Sequence, residues 1–274
     1  MKKFLFAAAS AALLAAGAAS AADLAEVKDR GTVRVAVAVL SPFVILGEDG
    51  SLSGYEIDAT TALGEHLGVN VDYVLKPFCE LADAVIDGEA DMIASGYSNM
   101  PERRRLLGFS LPYRDTEYFL VVTREKAKAA KSLRGLNSKD VTIGYLFGGV
   151  SGMTAMGEFP GATLKGYSNY SQIVDALRDG EIDGAVTFEP YLSAARKAKG
   201  RKLTIPHEFA LTRTIEAYGT QKDADDLRDA LNAFIIEQDL AGYWDELETK
   251  WFAEPSAIAT APAPLECAAA TPQG

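Results

Sequence analysis

Apolar and polar positions recur with two different periods along this chain, and the switches between them mark its elements. Val33 to Val39 sets apolar residues against Arg34 and small alanines, as a buried strand does, and ends at Ser41-Pro42-Phe43. A helix opens at Gly54-Tyr55-Glu56-Ile57-Asp58; Ala59, Leu63 and Leu67 then recur at every fourth position until Gly68 closes it. Val69, Val71, Tyr73 and Leu75 follow on one face of a strand, with Asn70 and Asp72 on the other. EYFLVVTREKAK, from Glu117, reads as a strand leaving one unit. Val141 to Phe147 starts a fresh βαβ series through GGVSG, a helix and the strand-like ATLKGY. IEAYGTQK, near Glu216, is another strand, and the last helices bring Leu227, Leu231, Phe234 and Ile235 onto one face.

One corner is written twice. LADAVIDGEAD spans 81–91 and IVDALRDGEID spans 173–183, each followed by a short apolar run, MIAS or GAVT. Gly88 and Gly180 stand where a helix C-terminus needs positive φ, so each copy predicts a helix, a turn and a buried parallel strand. Either copy alone signals only α/β grammar. Two copies imply two comparable α/β units, with strands near 119–123 and 217–220 crossing between them. The expected organisation is a first lobe from 22–119 plus 217–252, a second lobe from 120–216, and an Ala/Pro-rich flexible tail at 253–274.

Composition adds a compartment. Lys2 and Lys3 precede an apolar run ending near Ala16, and Ala19-Ser20-Ala21 offers small residues for cleavage, so 1–21 reads as a secretory signal leading to the periplasm. The formal charge of −11 argues against nucleic acid or an anionic membrane as partner. Cys79 and Cys267 are the two cysteines; they either pair as a staple between tail and first lobe, or remain a small buried residue and a dangling thiol. No CxxC occurs, and His66 and His207 are far apart, so no metal or other cofactor is expected.

In open α/β sheets ligands collect at strand carboxyl ends. That selects the loops 39–43, 96–103, 147–152 and 188–190. SGYSNMPERRR is the most informative, since an arginine turned into a cleft holds a carboxylate by two parallel hydrogen bonds; the alternative is a solvated helix start.

GYEIDATTALGEHLG, GEADMIASGYSNMPERRRLLGFSLPY and AGYWDELETKWF, taken in order, resemble the family-3 solute-binding proteins of ABC importers, over about residues 27–252. The resemblance implies a type II periplasmic binding protein: two Rossmann-like lobes joined by two hinge strands, closing on a small carboxylate and docking on an inner-membrane ABC permease, as a monomer and without catalysis. It implies that Arg103 grips the carboxylate, with the Gly96 carbonyl and Ser98 hydroxyl on the α-substituents and the Gly149, Val150 and Ser151 amides on the same carboxylate. Three departures stand out. Phe188 occupies the slot where an Asp pairs with the ligand ammonium, the first-strand loop VAVLSPF is short, and Met100 replaces a hydroxyl. An ammonium buried without a partner costs on the order of 2 to 5 kcal/mol unless Glu189, Glu117 or Asp115 compensates. The expected ligand is a small carboxylate, an amino acid or a related organic acid; the departures point to an acid lacking an α-ammonium, to an apolar or aromatic acid packing on Phe43, Tyr97 and Phe188, or to a repurposed site. Two alternatives stand beside it: a periplasmic dehydratase of prephenate or arogenate type with Glu189 or Glu117 as general acid, and an accessory binding protein for a periplasmic oxidoreductase or sensor.

Overall fold

The structure, a computed structural model, describes residues 23–189, 191–192, 202–207, 209–252 and 265–267. The expected signal sequence, Pro190 and the rest of the tail lie outside the described residues. Helix α1 (Leu24–Arg30) leads into β1 (Thr32–Val37), a hairpin of β2 (Ile45–Leu46) and β3 (Leu52–Ser53), helix α2 (Tyr55–Leu67) and β4 (Asn70–Leu75). Helix α3 (Leu81–Ile86) and β5 (Met92–Ile93) follow, then β6 (Gly108–Thr123), which is sixteen residues long. The chain continues through α4 (Arg124–Ala130), β7 (Thr142–Leu146), α5 (Val150–Glu158), β8 (Thr163–Tyr167), α6 (Tyr170–Asp179), β9 (Gly184–Thr187) and β10 (Leu203–Thr204). It ends in β11 (Thr212–Thr220), α7 (Asp225–Ala241) and α8 (Tyr243–Phe252).

The main sheet runs β4-β1-β5-β11-β6-β9-β7-β8, with β10 on β6. Its two ends are built alike. β1 lies parallel between β4 and β5, and β7 lies parallel between β8 and β9. β11 closes the first trio antiparallel and β6 closes the second. This is α/β architecture of two lobes sharing one long strand.

The repeated corner has a common physical basis. Gly88 and Gly180 take φ of 73° and 79°, ending α3 and α6 in the left-handed region. The last Asp of each copy then clamps the neighbouring strand. Asp91 donates its N–H to the Arg34 carbonyl and accepts the Arg34 N–H on its carboxylate, at 2.8 and 2.7 Å. Asp183 does the same with Thr142, at 2.8 and 3.0 Å. A carboxylate at that position fixes the register of the parallel pair, which is why both lobes need the same letters.

Two expectations shift. Residues 119–122 pair with β9 and Gly219–Thr220 pair with β5, so both stretches belong to lobe sheets. The part of β6 and β11 paired only with each other centres on Asp115–Tyr118 and Thr212–Ile215. The tail expected to be free is tied at Leu265–Cys267, because Cys79 and Cys267 form a disulfide. Of the two readings left open by the sequence, the staple holds.

Helix α2 begins where the first-strand loop ends. Tyr55 and Glu56 donate their N–H groups to the carbonyls of Pro42 and Phe43, both at 3.0 Å, which satisfies donors a helix start leaves without partners. Gly54, at φ 130°, makes this possible: a Cβ there would come within 2.3 Å of the Phe43 carbonyl oxygen. The loop carrying Phe43 is thereby held against the core.

Candidate functional site

Arg103 opens a single 3-10 turn, Arg103–Arg105, rather than a helix. Of its three arginines only Arg103 is buried. Its guanidinium donates through Nη1 to the Ser98 carbonyl and through Nη2 to the Gly148 carbonyl, both at 2.8 Å. Ser98 belongs to the first lobe and Gly148 to the second, so one side chain spans the seam. The Arg103 guanidinium carbon stands 3.7 Å from the Tyr97 ring centroid and 5.8 Å from that of Phe78. Ring faces stabilise a desolvated cation. Burial nonetheless pulls the guanidinium pKa below its ordinary value. Among the described residues no carboxylate forms an ion pair with it.

The remaining expected site residues lie along the strand ends of the two lobes, and several of their polar atoms are engaged within the protein. The Gly96 N–H donates to the Glu56 carboxylate at 2.6 Å. The Ser98 hydroxyl meets Thr214 Oγ1 at 3.1 Å and the Tyr118 phenol. Gly149 caps the start of α5, yet its N–H donates to the Leu146 carbonyl at 3.1 Å, so it does not point into the cleft as a free donor. Val150 is buried at the first turn of α5, and the Ser151 hydroxyl accepts from the Leu146 N–H at 3.0 Å and pairs with the Tyr170 phenol.

Phe188 is the hub of an aromatic cluster. Its ring centroid lies 6.1 Å from Phe43 in the first lobe, and 5.4, 5.2 and 5.5 Å from Tyr118, Tyr170 and Tyr191. All five rings are buried, and Tyr97 is buried beside them. Sequence reading missed Tyr118, Tyr170, Tyr191 and Phe78. Only Tyr170 carried a local signal, since Asn169 before it caps α6 through the Gln172 N–H at 2.9 Å. The acids suggested as substitutes for the missing Asp are elsewhere. Asp115 and Glu117 are exposed on β6, where both approach Arg213, and Glu189 is also exposed.

With these rings interleaved, the cleft is shut. The recess that remains at its mouth, between Lys76, Pro77 and Phe78 on one side and Asn169, Tyr170 and Ser171 on the other, holds a cavity of about 30 Å³. That is room for a water or two, not for an amino acid. Two buried polar atoms at this end lack partners among the described residues: Asn169 Nδ2 and the Thr187 hydroxyl. Behind the seam, Arg114 joins Glu216 of β11 to Glu248 of α8 and stacks 4.0 Å from the Phe252 ring centroid, which fixes β6 against β11 at the crossing. The strand ends of both lobes thus gather one buried cation and five buried rings.

Comparison with known proteins agrees with the fold. The family model described as bacterial extracellular solute-binding proteins, family 3, matches residues 33–254. The probable histidine-binding protein of Neisseria gonorrhoeae is 26% identical over 265 residues, covering 93% of this chain and 97% of that protein. The L-cystine-binding protein TcyJ of Escherichia coli (strain K12) is 25% identical over 230 residues, covering 84% and 85%. Among solved structures, the ancestral amino acid-binding protein AncCDT-1, a precursor of cyclohexadienyl dehydratase, superposes with a TM-score of 0.75 at 27% identity, covering 84% of this chain and 98% of that one.

Proposed function

The chain belongs to the bacterial extracellular solute-binding proteins, family 3, and on that premise we propose that it is a periplasmic receptor whose lobes close on a small organic acid for delivery to a membrane permease. The observation carrying this reading is the Arg103 guanidinium, buried at the seam without a carboxylate partner among the described residues. A cation so placed favours an anionic guest, because a bidentate carboxylate offsets the desolvation that burial imposes. In this reading Gly96, Tyr97, Ser98, Gly149, Val150 and Ser151 border the ligand's approach to it, and the facing rings of Phe43 and Phe188, 6.1 Å apart, close over its body.

Phe188 and its neighbours set the ligand class. A site for an α-ammonium needs a carboxylate near position 188, and the neighbouring Glu189 is exposed. The guest is an acid without an α-ammonium, whose apolar or aromatic body displaces ring–ring contacts between Phe43 and Phe188. The lobes that serve this motion are the one built on β1, β4 and β5 and the one built on β7, β8 and β9, crossing where β6 and β11 pair only with each other. The protein works as a monomer in the periplasm, after loss of residues 1–21.

One neighbour gives a second reading a specific footing, since the ancestral protein is a precursor of a cyclohexadienyl dehydratase. Such chemistry needs a protonated acid inside the cleft. Glu117 and Glu189, the acids considered for that role, are exposed, so neither supplies it. A thermal-shift screen over α-amino acids, 2-keto acids and aromatic acids, repeated on Arg103→Ala, tests both readings. Shifts confined to acids without an ammonium, and lost in the variant, support the receptor. A preference for α-amino acids overturns the ligand class read from Phe188, and phenylpyruvate formed from prephenate overturns the receptor.

A further inference from the structure

The Cys79–Cys267 bridge does more than anchor a terminus, because of where its two ends lie. Cys79 is in the 3-10 turn Phe78–Glu80 of the first lobe, beside the phenyl ring that faces Arg103. This turn touches the second lobe backbone to backbone: a Cβ on Gly148 would come within 2.9 Å of the Cys79 Cα. On the other side of the bridge, Cys267 is buried and its N–H donates to the Ser168 hydroxyl, in the second lobe, at 3.0 Å. Leu265 lines the recess at the cleft mouth, opposite Lys76 and Pro77 and against Ser168 and Asn169. Glu266 lies along a shallow groove of the second lobe floored by Phe147 and Tyr167.

The described stretch Leu265–Cys267 is therefore covalently part of the first lobe and noncovalently seated on the second, at the rim where the cleft would open. We propose that it is a latch: the disulfide holds Leu265–Cys267 over the cleft mouth, and the seat on Ser168 favours the shut arrangement of the lobes independently of any ligand. The physical reason is effective concentration. A tail segment free to diffuse meets Ser168 rarely, whereas one bonded to Cys79 meets it whenever the lobes come together. Opening the cleft must break the Ser168 hydrogen bond and expose Leu265 contacts, which together shift the closed-to-open ratio about tenfold. The bond forms only in an oxidising compartment, so the latch is set after export.

The test needs no ligand, so its outcome is separable from that of the receptor reading. Amide hydrogen exchange and small-angle X-ray scattering are measured on the mature chain, on Cys267→Ser, and on Ser168→Ala, in which the disulfide is kept. The latch requires exchange in segments 94–100 and 146–152 to rise about tenfold in Cys267→Ser, with a larger radius of gyration and unchanged exchange in β1. Ser168→Ala should move the same segments, by less. A bridge that only stabilises the fold would instead raise exchange throughout, β1 included, and leave Ser168→Ala like the parent. Either that pattern or no change in any segment overturns the proposal.

Discussion

Replacing Glu56 with Gln should flatten the pH dependence of stability, and the size of the change follows from its surroundings. Glu56 is wholly buried at the start of α2, where Oε1 accepts the Gly96 N–H at 2.6 Å and the Tyr113 phenol at 2.5 Å, while Oε2 has no partner among the described residues. Burial outweighs those two hydrogen bonds and raises the carboxyl to about 7, from an ordinary value of 4.5. Between those limits the folded chain keeps a proton that the unfolded chain has released. The stabilisation is thus complete below pH 4.5 and is lost as pH rises through 7, amounting to about 3 kcal/mol. Glutamine keeps the Oε1 acceptor and cannot ionise. Urea unfolding of both proteins at pH 5 and pH 8 is the assay, since groups common to the two cancel in the difference. The parent should lose about 2 to 3 kcal/mol more than Glu56→Gln between the two pH values. Parallel profiles, or a steeper fall in the variant, would refute the assignment of Glu56 as a buried, proton-holding acid.

Other expectations follow from the same contacts. Arg103→Ala should weaken binding of a carboxylate ligand by roughly thirtyfold or more in calorimetry, because truncating one member of a buried charged pair costs about 2 kcal/mol at least. Phe188→Asp should bring α-amino acids into the set that shifts the melting temperature; a variant that folds and still ignores them would contradict the role given to Phe188. Asp91→Asn should destabilise the chain by about 3 kcal/mol, since Arg30 and Arg34 lose a fully buried carboxylate. The matching Asp183→Asn should cost less, about 1 kcal/mol, because its carboxylate is partly exposed; denaturant midpoints of the two variants compare them. Gly148→Ala places a methyl against the Cys79 backbone at φ 69°, and a drop of about 1 to 2 kcal/mol in unfolding free energy is the expected reading.

Local grammar was enough to establish the two-lobed α/β fold. Gly88 and Gly180 must accept positive φ, and Asp91 and Asp183 must each serve a strand edge, so those letters recur wherever the corner is built. The seat of Arg103 in the SGYSNMPERRR loop was legible for the same reason: a strand end, a glycine and a guanidinium lie within a few residues. What surrounds that guanidinium was not. Tyr118, Tyr170 and Tyr191 reach Phe188 from three separate segments, and apart from the Asn169 cap that marks Tyr170 as a helix start, nothing in their neighbours distinguishes a cleft tyrosine from a core one. The pairing of Cys79 with Cys267, 188 residues apart, likewise depended on distance in space. Short-range periodicity reports which way a side chain faces on its own element, whereas which elements face each other is decided only when the lobes pack.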